Sequence, residues 1–181
     1  MKSIKNFLPV LVLAGVSGLS VAACGQKPET HDAAAIKAAA HVNPCHFLDQ
    51  SAVETLAGMK LQPGAIDKSL PNPRVAGCQW TKPTGAPAIQ LQYWPKTKAP
   101  LTNWAFPDYD SKALTGHYGE TLAVIAKANP QLGVKRGLAS VIMRTGEGVI
   151  VLTAPYLQAP EGSAAFDQAL KLADAAAAKA P

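Results

Sequence analysis

The chain has 181 residues, 48% of them hydrophobic and 16% charged, with a formal net charge of +5. That mixture is too apolar for a disordered polymer and, at this length, fits one ordinary domain beside a leader and a tether. The basic residues are scattered rather than clustered, which argues against a nucleic-acid-binding surface.

Met1 to Cys24 has a basic end (Lys2, Lys5), an apolar run from Phe7 to Leu13 and the small-residue close Val21-Ala22-Ala23-Cys24. This order is that of a secretory signal. Asn6, Pro9, Gly15, Ser17, Gly18 and Ser20 interrupt it, so it falls short of the roughly 18 to 20 apolar residues of a spanning helix. A cysteine directly after Val-Ala-Ala resembles the lipobox of bacterial lipoproteins. The resemblance implies that residues 1–23 are removed as a signal peptide and that Cys24 carries lipid at a membrane facing the periplasm or exterior. Position 25 is Gly rather than the Asp that retains some lipoproteins at an inner membrane, which points to the outer membrane where the host has one. Losing Lys2 and Lys5 takes two from the 17 basic residues and leaves +3.

With Cys24 acylated, two of the three cysteines remain, Cys45 and Cys78. An exported domain with two cysteines joins them. The competing reading, two reactive thiols, lacks the Cys-x-x-Cys arrangement of redox pairs. Loop-closure entropy predicts roughly 3 to 4 kcal/mol for such a bridge.

Residues 24–42 read as a lipidated flexible tether. Gln26 to Asp32 is polar, and Ala33 to Ala40 offers nothing larger than Ile36 to bury. A helix this short is marginal alone, so disorder or fraying is expected here. Residues 43–181 form the domain. After Asn43-Pro44-Cys45, Asp49 is placed to cap a short helix whose Val53, Leu56 and Ala57 share a face, with Leu48 as a staple and Gly58 as a left-handed stop.

Asn43-Pro44-Cys45-His46-Phe47-Leu48-Asp49 with the helix to Gly58, followed by Gly77-Cys78-Gln79-Trp80, resembles a family of bacterial lipoproteins of unassigned activity, known from mycobacteria and their relatives. Members typically show Asp-Pro-Cys-x-Leu-Leu-Thr, a short helix ending in Leu-Gly, then Cys-x-Trp or Cys-x-Tyr at a first strand. Asn43, Phe47 and Asp49 depart from that pattern by chemically close replacements. The likeness runs from Asn43 to the C-terminus, and only the two cysteine neighbourhoods are specific. It implies a secreted α+β domain with a disulfide and carries no catalytic residue across.

Lys60 to Val75 is a Pro-rich connection. Gly77 to Lys82 reads as a strand, Pro83 to Pro87 as a turn, and Ala88 to Trp94 as an alternating strand, together a hairpin. Pro95 to Tyr109 is a long irregular segment. Leu114, Tyr118, Leu122 and Ile125, spaced by four and three, predict a helix over 110–129, with Gly116 and Gly119 weakening its first half. Gly133 to Ala139 reads as a short strand, and Ser140 to Arg144 and Val149 to Ala154 as stronger ones joined by Thr145-Gly146-Glu147-Gly148. The last of these alternates on both faces and is expected at the centre. Ser163 caps a final helix. The fold expected is α+β, an antiparallel sheet of four or five strands with helices packed on it.

Candidate chemistry is thin. His41, Cys45 and His46 lie close together but lack a usual zinc spacing, and no cofactor or metal site is predicted. No Gly-x-Ser-x-Gly, His-Glu-x-x-His or phosphate loop occurs. Asp108, Asp110 and Glu120 are candidates for a paired-carboxylate wall hydrolase, which needs two groups roughly 5 to 10 Å apart; helix capping is the plainer role for the aspartates. Tyr93, Trp94, Trp104, Phe106 and Tyr109 gather five of the chain's 11 aromatics around one long loop. Such loops on rigid scaffolds bind ligands or partners, here an envelope protein or glycan, although these rings also suit a plain lid over the sheet. The reading reached is an envelope lipoprotein that binds or assists through this loop, with the hydrolase as alternative.

Overall fold

The structure, a computed structural model, describes residues 30–106, 109–133, 135–154, 157 and 159–181. Cys24, the signal segment and Asp108 lie outside the described residues. Strands β1 (Ala65–Ile66), β2 (Ala76–Thr81), β3 (Pro87–Pro95), β4 (Asp110–Leu114), β5 (Thr121–Ala126), β6 (Gly137–Arg144) and β7 (Gly148–Thr153) form one sheet in the order β1-β2-β3-β7-β6-β5-β4. Every pairing is antiparallel. Helices α1 (Thr30–Ala40), α2 (Gln50–Ala57) and α3 (Ala164–Lys179) complete the α+β architecture.

The sheet has seven strands rather than four or five, chiefly because 110–129 is not a helix. It is the β4–β5 hairpin, Asp110 pairing with Ile125 and Leu114 with Thr121. The four-and-three spacing of its apolar residues is coincidental. The stronger local signal is the run Thr121-Leu122-Ala123-Val124-Ile125, buried on both faces as a central strand is. The two glycines that weaken a helix here make the turn. Gly116 has φ of +84°, and a Cβ on Gly119 would meet the Arg144 carbonyl oxygen at 2.5 Å. Residues 137–144 likewise form one strand, β6, and not a short strand followed by a second.

One face of the sheet carries Cys78, Trp80, Ile89, Leu91, Tyr93, Val141, Met143, Ile150 and Leu152, and it is covered by Val53 and Leu56 of α2 and by Phe166, Leu170, Ala173 and Ala177 of α3. One predicted cap acts at each of α2 and α3. Gly58 closes α2 at φ 66°, and Ser163 Oγ accepts from Phe166 N–H at 3.2 Å. Asp49 occupies the N-cap of α2, yet its side chain makes no capping bond; Lys179 Nζ donates to its Oδ1 at 3.2 Å instead, tying α3 to α2. The Cys45–Cys78 disulfide is formed and joins the 3-10 turn at Pro44–His46 to β2.

Glu54 anchors the connection after α2. Its carboxylate receives Lys60 Nζ at 2.7 Å, Gln50 Nε2 at 3.1 Å and the Leu61 N–H at 3.3 Å. These donors, Lys60 first, hold its pKa at about 2 against an ordinary 4.5. A depressed carboxylate stabilises the fold above its unfolded value and loses that contribution as pH falls through the folded value. The stability gap between the wild type and Glu54→Gln is therefore expected to be full near neutrality, to shrink below pH 4.5 and to vanish near pH 2. Urea midpoints across that range check it.

The opposite face holds Trp94, Leu122, Val124, Ile142, Val149 and Val151, with Leu101 packed onto them. α1 covers the β3 side of this face. The expectation of fraying or disorder across the tether does not hold from Thr30 onward, because Ala35 and Ala39 are buried. Their small size is what lets a weakly apolar helix approach the sheet closely while Ile36 stays exposed.

Candidate functional site

The site begins where β3 leaves the sheet. β3 and β7 run together to the Pro95–Gly148 pair. There the backbones approach so closely that a Cβ on Gly148 would fall 2.3 Å from the Trp94 carbonyl oxygen. Lys96 then adopts φ of 55°, a left-handed conformation that L side chains rarely take. Two contacts to the β6–β7 turn hold it there. Its N–H donates to the Glu147 carbonyl at 2.6 Å, and its ammonium pairs with the Glu147 carboxylate. The result is a reversal that sends residues 97–106 back across the second face.

Arg144, projecting from β6, pins the returning segment. Its Nη2 donates to the Ala99 carbonyl at 2.7 Å, its Nη1 to the Thr97 carbonyl at 3.3 Å, and its Nε to Glu120 at 3.0 Å. Leu101, 3% exposed, plugs into the apolar cluster. Trp104 then meets Trp94 edge to face, with ring centroids 5.6 Å apart, and Trp94 Nε1 donates to Gln92 Oε1 at 3.3 Å.

A recess of about 560 Å³ opens beside this pair, walled by Trp94, Trp104, Asn103, Lys98, Arg74 and Ala35 of α1. Three cations, Arg74, Lys96 and Lys98, line it, and among the described residues no carboxylate does. A neighbouring recess of about 580 Å³, on the other side of residues 96–98, adds Arg144, Thr145 and Glu147. Rings beside amides and cations are the chemistry that recognises a ligand with an apolar face and polar or anionic substituents. A third recess, about 400 Å³ between the end of α1 and residues 66–77, is lined by no Trp, Tyr or Phe among the described residues.

The five predicted aromatics are thus divided. Trp94 and Trp104 are brought together at the recess. Tyr93 points to the other face, where it is buried edge-on to Phe47 at 5.8 Å. Burial raises its pKa, and its hydroxyl donates to the Pro181 carbonyl at 3.2 Å. Phe106 and Tyr109 pack against each other at 5.1 Å, exposed at the start of β4. The residues that sequence reasoning missed are Arg74, Lys98, Asn103 and Arg144; the signal at hand was the Lys-Thr-Lys run directly after Trp94-Pro95.

The two described candidate carboxylates, Asp110 and Glu120, do not converge. Asp110 is paired with Arg136 and, at 3.6 Å, with Lys127, and the Arg136 guanidinium holds its pKa below the usual range. Glu120 pairs with Arg144 at the opposite end of the hairpin. Five strand residues separate their levels, roughly 16 Å, beyond a glycosidase spacing. Cys45 is in its disulfide, His46 Nε2 contacts Asn43 at 3.2 Å, and His117 Nδ1 contacts Asp174 at 3.0 Å. Among the described residues no group of three or more His, Cys, Asp or Glu could hold a metal, and no helix is long and apolar enough to cross a membrane. Comparison of the chain with protein-family models, curated proteins and solved structures finds no match in any of the three.

Proposed function

We propose that this chain is a lipid-anchored envelope protein, acylated at Cys24, that binds an envelope ligand, a glycan or a protein partner, in the recess beside Trp94 and Trp104. The observation that carries the binding role is the placing of two half-buried indoles beside Arg74, Lys96 and Lys98 in one recess. The anchor reading rests on the order of residues 1–24. A docked α1 leaves only residues 25–29 between the lipid and the domain, a reach from Cys24 to Thr30 of at most about 22 Å, so the recess works close to the membrane.

The test uses lipidated protein purified from its own membranes, whose intact mass first reports acyl chains on Cys24. Tryptophan emission is then followed during titration with soluble wall-glycan fragments, and a crosslinked pull-down from the same membranes is analysed in parallel. Lys98→Glu with Asn103→Ala is expected to weaken the saturable interaction at least about tenfold while the melting temperature stays put, since both side chains sit on the surface. Equal retention by wild type and variant in both arms sinks the reading.

A further inference from the structure

β4 ends the sheet at one side, and no described strand or helix pairs with its outer edge. Ser111, Lys112 and Ala113 are exposed. Arg144 N–H donates to the Glu120 carbonyl at 2.9 Å, so the backbone groups of Glu120 and Leu122 turn towards β6 and those of Thr121 and Ala123 towards β4. Their partners Leu114 and Lys112 therefore face inward. By the alternation of an antiparallel ladder, Ser111 and Ala113 direct their N–H and C=O groups outward, ready for another strand.

Apolar surface frames this edge. Phe106 is 51% exposed and Tyr109 38% exposed just before β4, and Tyr118 is 55% exposed in the turn just after it. Those are all the aromatics among the six exposed large hydrophobic residues described. An open edge bordered by exposed rings is a pairing surface.

The charges name the occupant. Asp110 and Lys112 lie two apart on one face of β4. If a second copy pairs antiparallel about a two-fold axis at Ser111, Ser111 lies opposite Ser111 of the partner subunit. Asp110 then faces Lys112 of the partner subunit, and the converse, in the non-hydrogen-bonded pairs where side chains are closest. Moving the axis to residue 112 would oppose two lysines, and the charges select the first register. Lysine on an edge ordinarily guards against pairing; with Asp110 two residues away, the guard becomes specific for a copy of itself. The same axis lays Tyr109 opposite Ala113 of the partner subunit and brings the Phe106–Tyr109 pair towards the turn that holds Tyr118 of the partner subunit. Each Lys112 keeps Glu161, and each Asp110 keeps Arg136, so signs alternate along the row.

We infer that the chain forms a homodimer by β4–β4 pairing in this register, giving one continuous sheet across both copies. Sedimentation of the full-length lipidated protein in density-matched detergent should show a dimer. Lys112→Glu should raise its dissociation constant about tenfold or more, and Asp110→Lys added to Lys112→Glu should restore it. Ser111→Cys should yield a disulfide-linked dimer on mild oxidation that wild type does not, since residues opposed in such a pair lie within disulfide reach. Circular dichroism of each variant reports folding independently. A monomer at all concentrations, or a dimer unaffected by Lys112→Glu and without the Ser111→Cys crosslink, overturns the inference and leaves this edge to a strand from another protein.

Discussion

Removing the Cys45–Cys78 bridge is expected to lower the unfolding free energy by about 3 to 4 kcal/mol, the largest single effect foreseen here. The bond closes a ring with a sequence separation of 33 and so removes much of the freedom of the unfolded chain between α2 and β2. The ring encloses α2 and β1, and the connection inside it is poor in regular structure, which leaves few other constraints on its path. Gly64 in that connection packs so tightly that a Cβ there would fall 2.6 Å from Trp80 Nε1 and 3.0 Å from Cys78 Sγ. Loss of the bridge therefore loosens the packing around Trp80, which is fully buried. Guanidinium unfolding of C45A/C78A beside wild type, each with and without dithiothreitol, measures the effect. Reductant should move only the wild type, and its reduced midpoint should fall to that of the variant. A wild type indifferent to reductant would refute the account.

The second large effect belongs to Leu101. Leu101→Ala is expected to cost about 2 to 4 kcal/mol, because its side chain is the plug between residues 97–106 and the cluster of Leu122, Val124, Ile142, Val149 and Val151. Its consequence for the site is specific. Without the plug, the returning segment keeps its polar ties, Lys96 to Glu147 and Arg144 to the Thr97 and Ala99 carbonyls, but Trp104 loses apolar support that sets it against Trp94. Hydrogen exchange should quicken at the Asn103 and Ala105 amides, which bond to Pro100 and Thr102 within that segment, while the Trp80 side of the sheet stays protected. Ligand binding in the recess should fall with it. This differs from the surface variant Lys98→Glu with Asn103→Ala, which should change binding without changing stability. Equal exchange in Leu101→Ala and wild type would show that the segment is held some other way.

Where local chemistry is self-sufficient, the chain was legible without its fold. Gly58 and Ser163 marked helix ends through backbone needs that only a few residues meet, whereas the packed structure already includes α1 from Thr30, ahead of Asn43. The alternation from Ala88 to Trp94 identified a strand with two unlike faces, and Thr145 to Gly148 identified the turn into β7. Setting Cys24 aside as the expected lipid site left one pairing, Cys45 with Cys78, and the bridge is there. These inferences needed only period, caps and counting.

Residues 110–126 were misread because four apolar side chains at helical spacing also fit a strand that is buried on both faces, where spacing carries no information. α1 was underrated because two alanine methyls hold a helix only when a sheet lies at the right distance. The candidate site shows the same division. Its two indoles were visible as a composition bias, but the parity that sends Tyr93 into the core and Trp94 to the recess follows from which face α2 and α3 cover. The cations that join them, Arg74 and Lys98, come from segments about twenty residues apart in the chain. The sequence by itself determined the helix ends at Gly58 and Ser163, the alternating strand β3 and the pairing of Cys45 with Cys78, because each rests on local chemistry or counting. The sheet's seven-strand order, the reversal at Lys96 and the walls of the recess were decided by the tertiary structure alone, because each is a contact between segments whose meeting no local pattern encodes.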